Sequence, residues 1–396
     1  MQEQGLRVDD VRITGIDAYG VRSPDIQKSR NVLRDEAVIV EVSTDAGISG
    51  WAEINGHIPA LVALVEFEGP HPRDRGPRAA LVGRPLGELH ALIQELRASA
   101  IITGRAGLGR VAIGGIETAL VDLYGRLTGR PAWQIMSGAE TPPVARAVRP
   151  YITIYNRGSY ADVLRRGIDD IERAQEYGYR SFKIEATDYN TDEREAIDLV
   201  RSIREHFGTG IELSVDNVYR WTSVRSAVEA ARAYLALGAV FLEDPFLPER
   251  WDWLRELRDA VPLRLAAGGA MVTTTQFIAQ MELGGADIVQ PGPHLSGVIG
   301  AREVVLEAES RGRSVTTFGV SATSLTAAAQ VHLAVCHQNI VMVEYAPYAL
   351  FGNLRLRADI AGPEPELENG AFVLPTSPGF GVDCHRDAIS EYRVAV

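Results

Sequence analysis

Ser181-Phe182-Lys183-Ile184-Glu185, Leu213-Ser214-Val215-Asp216-Asn217 and Val240-Phe241-Leu242-Glu243-Asp244-Pro245 decide the fold. Each is a short apolar run that ends in acid or base between segments of helical spacing. Each therefore reads as a fully buried strand. Charge is costly away from water unless it is paired, metal-bound or placed at a solvated rim. Three such ends in succession point to one rim carrying one site. The pattern continues on both sides, with strand candidates at 151–155, 263–267, 287–291, 314–318 and 340–345. Amphipathic segments such as 161–176, 194–206, 224–237 and 300–310 separate them. Strand ends recur every roughly 20–35 residues, which is the spacing of a (β/α)8-type barrel.

Upstream the pattern differs. Residues 8–22 read as a strand, and 25–36, with Lys28, Arg30 and Arg34, as an exposed loop. Residues 37–43 and 48–53 form a hairpin around Thr44-Asp45-Ala46-Gly47. Helical spacing follows at 86–99, 111–127 and 131–136. The first region is thus α+β, and Thr141-Pro142-Pro143 marks its end. The expected domains are 1–143, a barrel over 144–357 and a C-terminal segment over 358–396. In that last segment, 372–375 and 379–382 look hairpin-like.

The chain has 396 residues, enough for two domains. Its net charge of −12 offers no basic surface to nucleic acid or anionic lipid. Two cysteines cannot build a disulfide framework or a cysteine-based zinc site. No apolar run reaches membrane-spanning length. The expectation is a cytoplasmic protein without nucleic-acid or membrane partners.

A parallel barrel carries its chemistry at the C-terminal ends of its strands. In order these ends are Asn156, Lys183 with Glu185, Asp216, Glu243 with Asp244, Gly268-Gly269-Ala270, Gln290, Thr317 with Phe318, and Glu344. Lys183 and Glu185, two apart, share a strand face. Asp216 and Glu243 lie on successive strands, close enough to share a cation, and hard oxygen ligands suit Mg²⁺. Equally, Lys183 could neutralise both carboxylates in a buried ion network.

At these residues the chain resembles the enolase superfamily, in its mandelate racemase and muconate lactonizing branch. The resemblance runs through Val40–Glu53, Gly115–Leu123, Phe182-Lys183-Ile184-Glu185, Val215-Asp216, Leu242-Glu243-Asp244-Pro245, Leu265–Gly269, Asp287–Pro291 and Pro378-Gly379-Phe380-Gly381. It implies an α/β architecture: a modified (β/α)7β barrel under an N-terminal α+β capping domain, with the C-terminal tail returning to the cap. It implies a lyase or isomerase in which Mg²⁺, held by three carboxylates, stabilises the enediolate left when a base removes an α-proton. The substrate would be a small carboxylate or carbonyl compound and the protein a homo-oligomer.

The site departs from that pattern. Asp216 and Glu243 match two metal ligands, but the third position is Ala270. The second lysine of the family's Lys-x-Lys is Glu185. The sixth-strand aspartate falls on Gly292, and the seventh-strand histidine on Thr317 or Phe318. Glu344 matches the eighth-strand acid. Proton transfer would fall to Lys183, provided its pKa drops, or to Glu185, Glu344 or His294. Glu185 could also replace the missing ligand. His57 lies where the family's capping loop closes. Mg²⁺ is expected to bind weakly or not at all. The other reading is a metal-independent or inactive barrel that binds a small molecule or a partner.

Overall fold

A computed structural model of the chain describes residues 7–26, 35–143, 147–155, 158–185, 192–319, 322–348, 350 and 355–395. Asn156 and most of the 25–36 loop lie outside them. The chain begins with a three-stranded antiparallel sheet: β1 (Ile13–Arg22), β2 (Glu36–Thr44) and β3 (Ser49–Ile54), in sequence order. The β2–β3 register pairs Ser43 with Ser49 around the expected turn. Residues 8–10, expected to extend the first strand, instead make a single helical turn. Five helices follow: α1 (Ile58–Val65), α2 (Pro77–Leu81), α3 (Leu89–Ser99), α4 (Gly107–Thr128) and α5 (Ala132–Ser137).

The barrel alternates strand and helix without exception. Its elements are β4 (Pro150–Ile154), α6 (Tyr160–Glu176), β5 (Ser181–Glu185), α7 (Glu193–Phe207), β6 (Glu212–Asp216), α8 (Val224–Ala236), β7 (Ala239–Glu243) and α9 (Trp251–Ala260). They continue through β8 (Leu265–Ala267), α10 (Thr274–Ala279), β9 (Ile288–Val289), α11 (Pro293–Ser310), β10 (Ser314–Thr317), α12 (Ser324–Ala334) and β11 (Ile340–Glu344). The eight parallel strands close in the order β10-β11-β4-β5-β6-β7-β8-β9. Eight strands joined by seven helices make the expected (β/α)7β barrel. Their side chains, Ile152, Ile184, Leu213, Val215, Leu242 and Val343 among them, are fully buried, as befits strands covered on both faces.

Beyond the barrel lie α13 (Arg355–Ile360), β12 (Ala361–Gly362), β13 (Leu367–Glu368), β14 (Ala371–Phe372), β15 (Asp383–Cys384) and α14 (Arg386–Glu391). The hairpin expected from 372–375 and 379–382 is not formed. Instead β13 pairs with β14 across Asn369-Gly370, and β15 pairs back to β12. Both turn residues have positive φ, 53° and 74°, so it is Asn369-Gly370 that makes the tight reversal. The tail returns to the first region. Phe380 N donates to Asp122 Oδ1 (2.8 Å), Val394 N to Gly20 O (2.9 Å), and Arg386 forks onto Glu41. Gly379 has φ 63°, and a Cβ there would stand 2.3 Å from Asp122 Oδ1. Gly379→Ala should cost about 1–3 kcal/mol of stability in chemical denaturation.

α12 carries a fully buried imidazole, His332, whose Nδ1 accepts from Trp133 N on α5 (3.1 Å). Burial pushes its pKa down to about 3. The folded state therefore refuses a proton that the unfolded chain accepts near pH 6.5. Stability should be intact above that pH and fall as pH drops toward 3. In His332→Gln that slope should be shallower by up to about 1.4 kcal/mol per pH unit, measured by denaturation at stepped pH.

Candidate active site at the barrel mouth

Parallel register sets the rim. Glu185 pairs with Asp216, Asp216 with Glu243, and Glu243 with Ala266. The ends of β5, β6 and β7 therefore stand level, as their sequence endings suggest. Lys183, one inward step below Glu185, is 1% exposed. Its Nζ lies 2.5 Å from Glu243 Oε1, 3.4 Å from Asp216 Oδ2 and 3.8 Å from Glu344 Oε1, with the Tyr151 ring centroid 5.5 Å away. The structure thus gathers Lys183, Asp216, Glu243 and Glu344 in one cluster. Glu185, half-buried at the end of β5, borders it.

The remaining lone pairs of this cluster are also served. Gln290 Nε2 donates to Glu243 Oε2 (2.6 Å), and Val218 N donates to Asp216 Oδ1 (3.0 Å). Thr153 Oγ1 donates to Glu344 Oε1, and Gly319 N to Glu344 Oε2 (3.1 Å). Asp244 belongs to a separate arrangement. At φ 42° it turns its carboxylate to Gly268 N (3.3 Å) and the Tyr219 hydroxyl. Burial, reinforced by Asp216, raises its pKa to about 7. Val218 and Tyr219 are left-handed too, so the β6 and β7 ends both bend sharply at the rim.

Burial opposes the charge on Lys183. Glu243, Glu344, Tyr151 and Asp216 outweigh it and hold the ammonium well above the usual lysine range. In this arrangement the carboxylates favour the charged form of Lys183. Burial likewise drives Glu243 up, with Lys183 drawing it back.

On the opposite side of the ring, after β9, sits His294, 1% exposed. Its ring packs against Phe318 at 5.3 Å between centroids. A Cβ on Gly292 would meet its Cε1 at 2.7 Å. The glycine at the family's aspartate position is thus what admits the imidazole. Nδ1 of His294 is buried without a hydrogen-bond partner. Burial lowers the pKa to about 4, nearby Glu344 opposing, so the ring is neutral at pH 7. His57 does other work: it caps α1, Nδ1 accepting from Ala60 N (3.4 Å).

Sequence reasoning overlooked Glu53. This residue ends β3 of the first region, yet it is buried and accepts from Ala322 N (2.7 Å), Thr323 N (3.0 Å) and Thr323 Oγ1 (2.6 Å) at the start of α12. Its acid at a strand end was readable; its partner 270 residues away was not. Burial raises its pKa, and the three donors oppose that rise.

The donor set fits a divalent cation poorly. Ala270, expected at the third ligand position, is instead exposed on the turn after β8. The buried residue beside the strand-end carboxylates is Gly269, where a Cβ would stand 3.3 Å from Asp244 Oδ2, and it has no side chain to offer. Among the described residues no group of three His, Cys, Asp or Glu side chains is arranged to hold a metal. Nor, among them, is any helix long and apolar enough to cross a membrane.

Residues 21–137 match the mandelate racemase/muconate lactonizing enzyme N-terminal domain, and 168–388 the enolase C-terminal domain-like family. Similar solved structures include the 3,6-anhydro-D-galactonate cycloisomerase of Zobellia galactanivorans (21% identity, TM-score 0.80, 97% of this chain and 100% of that one). A racemase of Streptomyces coelicolor A3(2) with bound magnesium matches at 21% identity and TM-score 0.80, over 96% of this chain and 100% of that one. A mandelate racemase/muconate lactonizing enzyme of Jannaschia sp. CCS1 matches at 20% and 0.79, over 97% and 98%. Members of this family typically bind Mg²⁺ and act on small molecules.

Glu53→Ala would strip three buried donors of their acceptor. It should lower stability by about 2–4 kcal/mol in denaturant titration, with Glu53→Gln recovering part of the loss.

With cap, barrel and strand-end carboxylates in these positions, the chain belongs to the enolase superfamily, in the mandelate racemase and muconate lactonizing branch, a group of small-molecule lyases and isomerases.

Proposed function

We propose that this protein is a lyase or isomerase that removes a proton next to a carbonyl or carboxylate and uses His294 as the base. The observation that carries this reading is the buried, unpartnered Nδ1 of a neutral imidazole placed across the ring from Lys183. A neutral imidazole in a dry site can take a proton without first losing one. The carboxylates around Lys183 favour its ammonium form, and an ammonium has three N–H groups. Glu243 and Asp216 lie within reach of two of them. The third is available to a substrate oxygen, where it would stabilise the negative charge that develops as the α-proton leaves.

Glu344, fixed by Thr153 and Gly319 N, lies beside Lys183 and influences His294. It is placed to share the returning proton. Glu185, half-buried at the end of β5 and in register with Asp216, is the second acid proposed for proton transfer. Proton return at the same carbon gives racemisation, return at another carbon gives isomerisation, and loss of a β-substituent gives elimination.

The test is deuterium exchange. A panel of small hydroxy- and keto-acids with an acidic α-hydrogen is incubated with the enzyme in D₂O and followed by proton NMR. Enzyme-dependent loss of the α-signal is expected for at least one class. His294→Ala should slow it by about 10²–10⁴-fold, with the fold unchanged by circular dichroism. Undiminished exchange in that variant would remove His294 from the mechanism. No exchange across the panel would favour a barrel that only binds its ligand.

A further inference from the structure

We propose that the ammonium of Lys183 occupies the seat of the divalent cation, so that the site is complete without a metal. The inference rests on reading the strand-end cluster as the active site, and it concerns what supplies that cluster's positive charge. Nζ stands between Glu243 Oε1 (2.5 Å) and Asp216 Oδ2 (3.4 Å). These are the oxygens a cation shared by the two strands would have to bridge. Mg²⁺ holds its ligands at about 2.0–2.1 Å, so an ion on both oxygens would lie in like-charge contact with Nζ. Lysine and metal cannot both be seated there.

The other oxygens offer no alternative seat. Glu243 Oε2 accepts from Gln290 and Asp216 Oδ1 from Val218 N. Asp244 is turned to Tyr219 and Gly268. Mg²⁺ also demands near-octahedral oxygen coordination, and the buried end of β8 presents Gly269, which has no side chain to ligate it. The cluster remains net negative, because one ammonium faces Asp216, Glu243 and Glu344. The site therefore does not repel cations; its cation is covalently attached. A tethered charge cannot dissociate, so activity should not depend on metal supply and a chelator should leave it unchanged.

The experiment uses MgCl₂ as its probe and the full-length protein. Wild type and Gly269→Glu should give no saturable calorimetric heat at millimolar Mg²⁺. The double variant Lys183→Met/Gly269→Glu, with the seat vacated and a third carboxylate placed beside Asp244, should bind at least roughly tenfold more tightly than either. Its melting temperature should also rise with Mg²⁺. Removing Lys183 could prevent folding, so a second measurement is made on wild type: the ¹⁵Nζ resonance of Lys183 should not move on adding Mg²⁺. Saturable binding to wild type, a Mg²⁺-dependent Nζ shift, or a folded double variant with no gain would each overturn the proposal. None of these results bears on deuterium exchange, so the reaction class stands or falls separately.

Discussion

An ammonium and a carboxylate 2.5 Å apart in the barrel interior constrain everything around them. Neither Lys183 nor Glu243 could be buried alone, since an unpaired charge there would cost several kcal/mol. Pairing only offsets that cost if the remaining lone pairs find donors. Gln290 from β9 and Val218 N beyond β6 supply them. The left-handed backbone at Val218 and Tyr219 follows from the same need: it brings Val218 N onto Asp216 and the Tyr219 hydroxyl to Asp244. The rim's carboxylates thus find donors, while His294 Nδ1, Gln290 Oε1 and Asn217 Oδ1 are buried there without hydrogen-bond partners.

The same device holds the rest of the chain to the barrel. Glu53 reaches from β3 to the start of α12. Asp122 on α4 accepts from Trp51 N of β3, Phe380 N of the tail and Arg126. Glu117, one turn earlier, takes Arg97 and Arg110, and Arg97 continues to Glu303 on α11. Glu41 receives Arg386 from α14. Each buried carboxylate gathers donors from at least one other element. Cap, barrel and tail are therefore joined through buried carboxylates.

The barrel was legible because its strands are short apolar runs with charged ends, and period and length suffice to identify those. The rim's charge partners were partly legible: parallel register makes Lys183, Asp216 and Glu243 neighbours once the strands are aligned. The state of Lys183 was not. Whether a buried lysine loses its proton depends on the balance between burial and three carboxylates, and that balance is set by distances. The tail was misread because 372–375 and 379–382 have strand-like composition, while the turn chemistry that decides a hairpin lay upstream at Asn369-Gly370.

Gly292 and His294 share one space beside the barrel mouth. A Cβ at 292 would come within 2.7 Å of the imidazole Cε1, so the glycine leaves room for the ring where it now lies. Phe318, just beyond β10, is the wall against which His294 packs. An apolar wall suits this role: it keeps water from the ring and so keeps the imidazole neutral, as its lowered pKa reflects. The three residues form one arrangement: a glycine that makes room, a phenylalanine ring that packs on the imidazole, and a histidine that enters from the following helix.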